Sequence, residues 1–432
     1  MRTFRFKYGE GKIPFSLSSE EILMVIEPNP MPSVEKTGDE IVKEALDHPI
    51  SSGKLRDLVK EGETVCVVVP DVTRAWQSPS VYVPPVIEEL TKAGVKDKDI
   101  VIISATGSHR KQTEEEYISL VGADVNRRIE IIDHDCKDED NLVQVGITSF
   151  GTPVWINKRA LECDHIVMTG GAILHFLAGY GGGRKYILPG IAGYETIMRN
   201  HSYSMSEGMG AGSNPEVRSG NMTETNDIHQ DMMEAAAMVK PLFILNVVVD
   251  SDKRITHAFA GEYIKAHRAA CEIVKQMDSV TIQEKADLVI ASAGGYPKDI
   301  NFYQTTKSVF NAVEAVKPGG AMIIVSECRE GFGSGDTEAI IRRFSDMLSR
   351  EKDIRKTYTI GKFLGYRPAE IAEKVHFILV SSMDPTMFGT TKIKVVSTIG
   401  EAISLGRTLV NTENPSIALM PYAANTLPML QV

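Results

Sequence analysis

Three segments of the chain each bring side chains able to move protons or hold anions to the end of an apolar run. They are Pro70-Asp71-Val72-Thr73-Arg74, Thr106-Gly107-Ser108-His109-Arg110 and Gly170-Gly171-Ala172-Ile173-Leu174-His175. A fourth, Gly294-Gly295-Tyr296-Pro297-Lys298, supplies an ammonium group. Paired histidines suit chemistry near neutral pH, because one can give a proton while the other takes one. Arg74 and Lys298 can clamp an anionic substrate. The densest stretch runs from His175 to Gly193 and is followed by His201. It holds six glycines from Gly179 onward, an entropic cost that is reasonable where the backbone needs φ > 0 or a bulky ligand must come close. Gly182-Gly183-Arg184-Lys185 is neither a Walker A loop, since no Ser or Thr follows Lys185, nor a G-x-G-x-x-G turn. Lys185 itself suits a Schiff base or a covalent attachment.

The remaining histidines carry less. His134, between Asp133 and Asp135, lacks the further ligands of a metal cage. His165 reads as a satisfied core residue inside an apolar strand, and His48, His229, His257, His267 and His376 sit in unremarkable contexts.

The elements that must position these groups alternate between strand-length apolar runs and helix-length amphipathic ones, the pattern of parallel α/β sheets. Strands are expected at 64–69, 99–104, 128–132, 164–169, 286–291, 321–326 and 375–380. Helices are expected at 84–93, 225–240, 262–277, 305–316, 336–348 and 397–406. A helix at 194–200 sets His201 just beyond the glycine loop. The restart of the alternation near 280 predicts two α/β domains of mostly parallel sheet, 1–270 and 280–432, with the active site in the cleft between them. In such sheets the ligand crevice lies past the carboxyl ends of the strands, where all four polar segments fall.

Composition sets the outer limits. The chain has 432 residues, long enough for two cores, and carries 47 Lys and Arg against 57 Asp and Glu with no basic block. That balance disfavours nucleic acid as a partner. Five cysteines without a C-x-x-C spacing indicate neither a disulfide framework nor a zinc knuckle. No apolar run is long enough to span a bilayer, and the first twenty residues show no signal-peptide core, so a cytoplasmic protein is expected.

At these residues the chain resembles the nickel-dependent lactate racemase family, whose members invert 2-hydroxy acids with a nickel pincer nucleotide. The resemblance rests on Asp71-Val72-Thr73-Arg74, on Thr106 to Arg110, on His175 to His201 and on Gly295-Tyr296-Pro297-Lys298-Asp299-Ile300-Asn301. It implies that Lys185 carries the cofactor covalently, a pyridinium-3-thioamide-5-thiocarboxylic acid mononucleotide holding Ni(II), and that His201 is the side-chain ligand to nickel. Gly182, Gly183, Arg184, Asp71 and Thr73 are implied to surround the cofactor or to position Arg74. His109 and His175 become the two acid/base residues, Arg74 steadies the substrate oxygen, and Lys298 with Tyr296 holds its carboxylate. Cofactor-maturation enzymes are the implied partners. One departure stands out: the family usually continues Thr-Arg as T-R-P-x-P, whereas here Thr73-Arg74 runs into Ala75-Trp76-Gln77-Ser78-Pro79. Trp76 and Gln77 either reshape the loop or line the pocket and move side-chain preference away from lactate. From the residues alone, a metal-free Schiff-base isomerase or lyase and a non-catalytic nucleotide- or phosphate-binding module stay open.

Overall fold

The computed structural model describes residues 1–410 and 412–431. The chain separates into two compact units: Pro32–His201 with Asn221–Lys275, and Met1–Met31 with Ser202–Gly220 and Gln276–Val432.

The first unit is built on a six-stranded sheet. Across it run Glu130–Asp133, Ile100–Ala105, Val65–Pro70, His165–Gly171, Phe243–Val249 and Ile255–Gly261. The first five are parallel and the last is antiparallel to its neighbour. Every residue of Val65–Pro70 is buried, as expected of a strand with packing on both faces. Val65, Val67 and Val69 point one way, into a core shared with Ile41 and Val42 of helix Gly38–Asp47 and with Val83, Val86 and Leu90 of helix Pro79–Lys92. A Thr37–Glu40 capping box starts the former helix. The latter starts at Pro79, five residues before the expected position, because proline at the first helical position costs no hydrogen bond. The strand order reverses between Val65–Pro70 and His165–Gly171, so the two adjacent chain exits there diverge to opposite sides and open a crevice.

The second unit has a six-stranded parallel sheet in the order Lys394–Val396, His376–Val380, Val316–Val325, Ala286–Ser292, Ile417–Met420, Ile22–Val25. Leu288, Ile290 and Ile323 pack with Ile399, Ala402 and Ile403 of helix Ile399–Val410. Val289, Ala291 and Ile324 pack with Phe302 and Val309 of helix Phe302–Ala312. Here the order reverses between Ala286–Ser292 and Ile417–Met420.

The unit boundaries differ from the expected single cut near 270–280. Strand Ile22–Val25 hydrogen-bonds to Ile417–Met420, which takes the first 31 residues into the second unit. The segment Ser202–Gly220 joins them, with Ser213 tied to Glu370 and Ser219 to Asn311. The helix expected over 336–348 is two helices, Gly335–Arg342 and Met347–Lys356, because the Asp346 carboxylate accepts the Ser349 N–H at 2.8 Å and caps a new start. Among the described residues no helix is long and apolar enough to cross a membrane.

Candidate functional site

In the first unit the strand beside the reversal ends at Pro70 and turns into the 3-10 segment Val72–Gln77. Asp71, at its head, is only 5% exposed. Its carboxylate accepts the Thr73 hydroxyl at 2.6 Å and the His109 Nδ1–H at 2.6 Å. Burial by itself would raise the Asp71 carboxyl, but the bonds from His109 and Thr73 and the charge of Arg74 outweigh it and hold it below the usual range. With Nδ1–H engaged, His109 keeps its Nε2 lone pair free to accept a proton, and its side chain is 52% exposed, so that nitrogen is reachable. Arg74 donates its backbone N–H to the Asp71 carbonyl at 2.9 Å and its guanidinium to the Thr73 hydroxyl at 3.1 Å. Asp71, Thr73, Arg74 and His109 therefore form one hydrogen-bonded group, and the His109–Asp71 bond joins the ends of neighbouring strands.

The other strand at the reversal, His165–Gly171, leads to His175. His175 Nδ1 accepts the backbone N–H groups of Leu177 and Ala178, both at 3.2 Å, which puts the imidazole proton on Nε2. The two histidines thus rest in opposite tautomers, one with an accepting and one with a donating Nε2.

The glycine loop lies against the same strand end. A Cβ on Gly182 would come 3.0 Å from the Gly171 carbonyl, and one on Gly183 would meet the His267 ring at 2.5 Å. Both residues have positive φ, +81 and +58. Arg184 is 1% exposed and donates to the carbonyls of Tyr180 and Ala178, holding the loop from beneath. Burial lowers its guanidinium to about 10. Lys185 has no carboxylate within ion-pairing distance among the described residues. Burial first, then the charges of Arg184 and Arg74, push its ammonium well down and favour the free amine. His201 lies in the last turn of helix Tyr194–Ser202, not beyond it. It is 3% exposed and donates Nδ1–H to the Ile197 carbonyl at 2.9 Å. Burial and the nearby Lys185 charge lower it to about 3, so it is a neutral imidazole whose Nε2 lone pair is available to a metal.

Sequence reading missed several supports. Asn246, fully buried in the apolar strand Phe243–Val249, accepts the Gly183 N–H at 3.2 Å and donates to the Gly170 carbonyl at 3.1 Å. A lone Asn in such a strand was the available signal. The Tyr186 hydroxyl accepts the Gly171 N–H at 3.0 Å. His267, read as unremarkable, donates to the Gly181 carbonyl at 2.8 Å beneath the loop. His165 is half-buried and pairs with Glu63 at 2.9 Å, so it is a strand-start residue and not a core one. His134 is 2% exposed, with Nε2 on the Ala192 carbonyl and Nδ1 on Asn157, a structural role.

In the second unit, Ala286–Ser292 ends beside its own reversal and leads to Tyr296 and Lys298. Lys298 is exposed and donates Nζ–H to Asn425 Oδ1 at 2.9 Å. Tyr296 is exposed, with the Arg329 guanidinium 5.3 Å above its ring.

The family models for the lactate racemase N-terminal and C-terminal domains match residues 8–212 and 281–426. The chain is 35% identical to the lactate racemase of Thermoanaerobacterium thermosaccharolyticum over 363 residues, 84% of this chain and 82% of that protein. It is also 35% identical to that of Lactiplantibacillus plantarum over 377 residues, 84% and 85% of the two chains. The lactate racemase apoprotein structure from the former organism superimposes with a TM-score of 0.88 at 31% identity, covering 99% of this chain and 100% of that one. A Thermotoga maritima protein shares the fold alone, with a TM-score of 0.65 at 19% identity, covering 91% and 98%. Together with the strand-end groups described above, these matches, which span both halves of the sequence, establish that the chain belongs to the lactate racemase family.

Proposed function

We propose that this protein is a racemase or epimerase that inverts C2 of a 2-hydroxy acid by moving a proton and a hydride through a 2-keto acid. The observation that carries this is the gathering, at one sheet reversal, of the His109–Asp71 pair and Arg74 with the uncompensated Lys185 amine and its neighbour His201.

The residues fit the family's cofactor. Lys185 is an amine free of carboxylates, Gly182 and Gly183 leave backbone room beside it, and His201 presents one neutral nitrogen. When bound, a nickel pincer nucleotide joined to Lys185 and ligated by His201 supplies an acceptor and donor for the C2 hydride. The chain's own groups do the rest. C2–H beside a carboxylate is a poor acid, so hydride loss is easier once the hydroxyl proton leaves. His109 Nε2 takes that proton, and Asp71 stabilises the resulting imidazolium. Arg74 steadies the oxygen as it becomes a carbonyl. As the oxygen regains a proton from the other side, His175 gives it, so His175 enters the turnover as imidazolium and the two histidines exchange charge states. Lys298, with Tyr296, takes the carboxylate, which keeps the keto acid from leaving between half-reactions. The supply of loaded enzyme falls to cofactor-maturation enzymes, and a cytoplasmic location agrees with this chemistry.

Protein produced together with those maturation enzymes should carry a mass adduct on Lys185 and should exchange the C2 configuration of at least one acid in a panel of lactate, malate, phenyllactate and sugar acids, read by chiral chromatography. A fully adducted protein that inverts none of them ends the reading. The depressed Lys185 amine would also suit a Schiff base, and borohydride trapping with a keto acid in adduct-free protein would reveal that alternative.

A further inference from the structure

Gln77 closes the 3-10 turn that follows Asp71 and Arg74, and it is 1% exposed. Neither its Oε1 nor its Nε2 has a hydrogen-bond partner. The carboxamide lies flat against Gly171, where an added Cβ would be 2.6 Å from Cδ and Nε2 and 2.8 Å from Oε1. The Gly171 N–H does not reach Oε1, since it is given to the Tyr186 hydroxyl. Gln77 thus sits between the two chain exits that open the crevice, one after Val65–Pro70 and the other after His165–Gly171.

A buried amide with both polar atoms unpaired loses its water and gains nothing, and Met or Leu would fill the same space without that loss. Its presence in a ligand crevice is explained by a ligand that completes its bonds. A carboxamide donates and accepts side by side, which matches a hydroxyl group, itself both donor and acceptor. A methyl group there would leave the amide unpaired, and sites built to bond a hydroxyl reject the analogue that lacks it by large factors.

We propose that Gln77 is a specificity-determining residue that binds a hydroxyl on the substrate side chain, and that the substrate class is a 2,3-dihydroxy or longer polyhydroxy carboxylate. This rests on the 2-hydroxy acid reading above and narrows it.

Glycerate and lactate differ only by a C3 hydroxyl and make the test pair, with gluconate as the longer sugar acid. In cofactor-loaded enzyme, kcat/KM for glycerate or gluconate should exceed that for lactate by at least a hundredfold. Gln77→Met should cut that ratio by tenfold or more. Its unliganded Tm should stay level or rise, because an unpaired amide has been removed. An unchanged ratio, or equal losses on all acids, would overturn the assignment, as would loss of the Lys185 adduct in the variant, which would make the cofactor the partner of Gln77. If the loaded wild type inverts only acids without a side-chain hydroxyl, this proposal fails while the racemase reading stands. If it inverts nothing, the racemase reading fails and calorimetric titration of gluconate and lactate into wild type and Gln77→Met decides this one: no hydroxyl-dependent difference in affinity would overturn it.

Discussion

His109 depends on a partner 38 positions away, because the ends of two adjacent parallel strands bring the Asp71 carboxylate to its Nδ1. The carboxylate fixes the tautomer and stabilises the imidazolium, so Asp71→Asn should leave the fold intact while lowering kcat by about 10²–10⁴, with a much smaller change in KM. A variant with wild-type kcat would show that His109 needs no carboxylate. His109 and His175 were legible as candidates, since each follows a strand with turn residues between. The bond to Asp71 was not legible, because strand adjacency is a long-range property that no local pattern encodes. Nor were the two amides on His175 Nδ1, which depend on how the chain folds back after Phe176.

At the level of elements, the glycine loop shows how backbone and support are matched. Gly183 has φ +58 and no room for a methyl group beside His267, whose ring in turn donates to the Gly181 carbonyl. Gly183→Ala combines a left-handed backbone strain with a clash, and should cost about 2–4 kcal/mol of stability in the cofactor-free protein, read as a lower urea midpoint. It should also reduce the yield of Lys185 adduct, since the displaced loop carries that lysine. An unchanged midpoint would mean that the loop has slack. The sequence marked this loop by its glycines and Lys185, and apolar runs marked seven of the twelve strands of the two large sheets, six of them to within about two residues. The apolar runs Phe243–Val249 and Ile417–Met420 were passed over, and other elements were hidden by mixed patterns. Strand Ile22–Val25 is short and half-buried, and helix Gly38–Asp47 lies in a charged stretch that reads as surface until the Thr37 cap is noticed. The break before Met347 was also hidden, because Asp346 looks like an ordinary helix-surface residue until it is seen to cap.

At the scale of the whole molecule, the chain's linear order is not its spatial order. The first 31 residues belong with the last 150 or so, and no composition shift announces this, because the joining strand is recognised only by its pairing with Ile417–Met420. One buried charge within this second unit makes the stability of the protein pH-dependent. Asp278, at the end of helix Tyr263–Asp278, is 8% exposed, and burial pushes its carboxyl up to about 7, with the Lys298 charge opposing only in part. In the unfolded chain the same group titrates near 3.9. A raised folded pKa means that the folded state binds the proton more tightly. The stabilisation is therefore fully present below about pH 4 and is lost as pH rises through about 7. At about 1.4 kcal/mol per pKa unit, the loss amounts to about 4 kcal/mol. Carboxylates held below their usual range, such as Asp71 and Glu370, act in the opposite sense, losing their contribution as pH falls. Total stability therefore mixes both trends, and the informative quantity is the difference between wild type and Asp278→Asn. Measured by urea unfolding from pH 4 to pH 8, the amide variant should gain on the wild type steadily over that range, by up to about 4 kcal/mol, because it never acquires the buried charge. A difference that stays constant with pH would show that Asp278 titrates alike in the folded and unfolded chain.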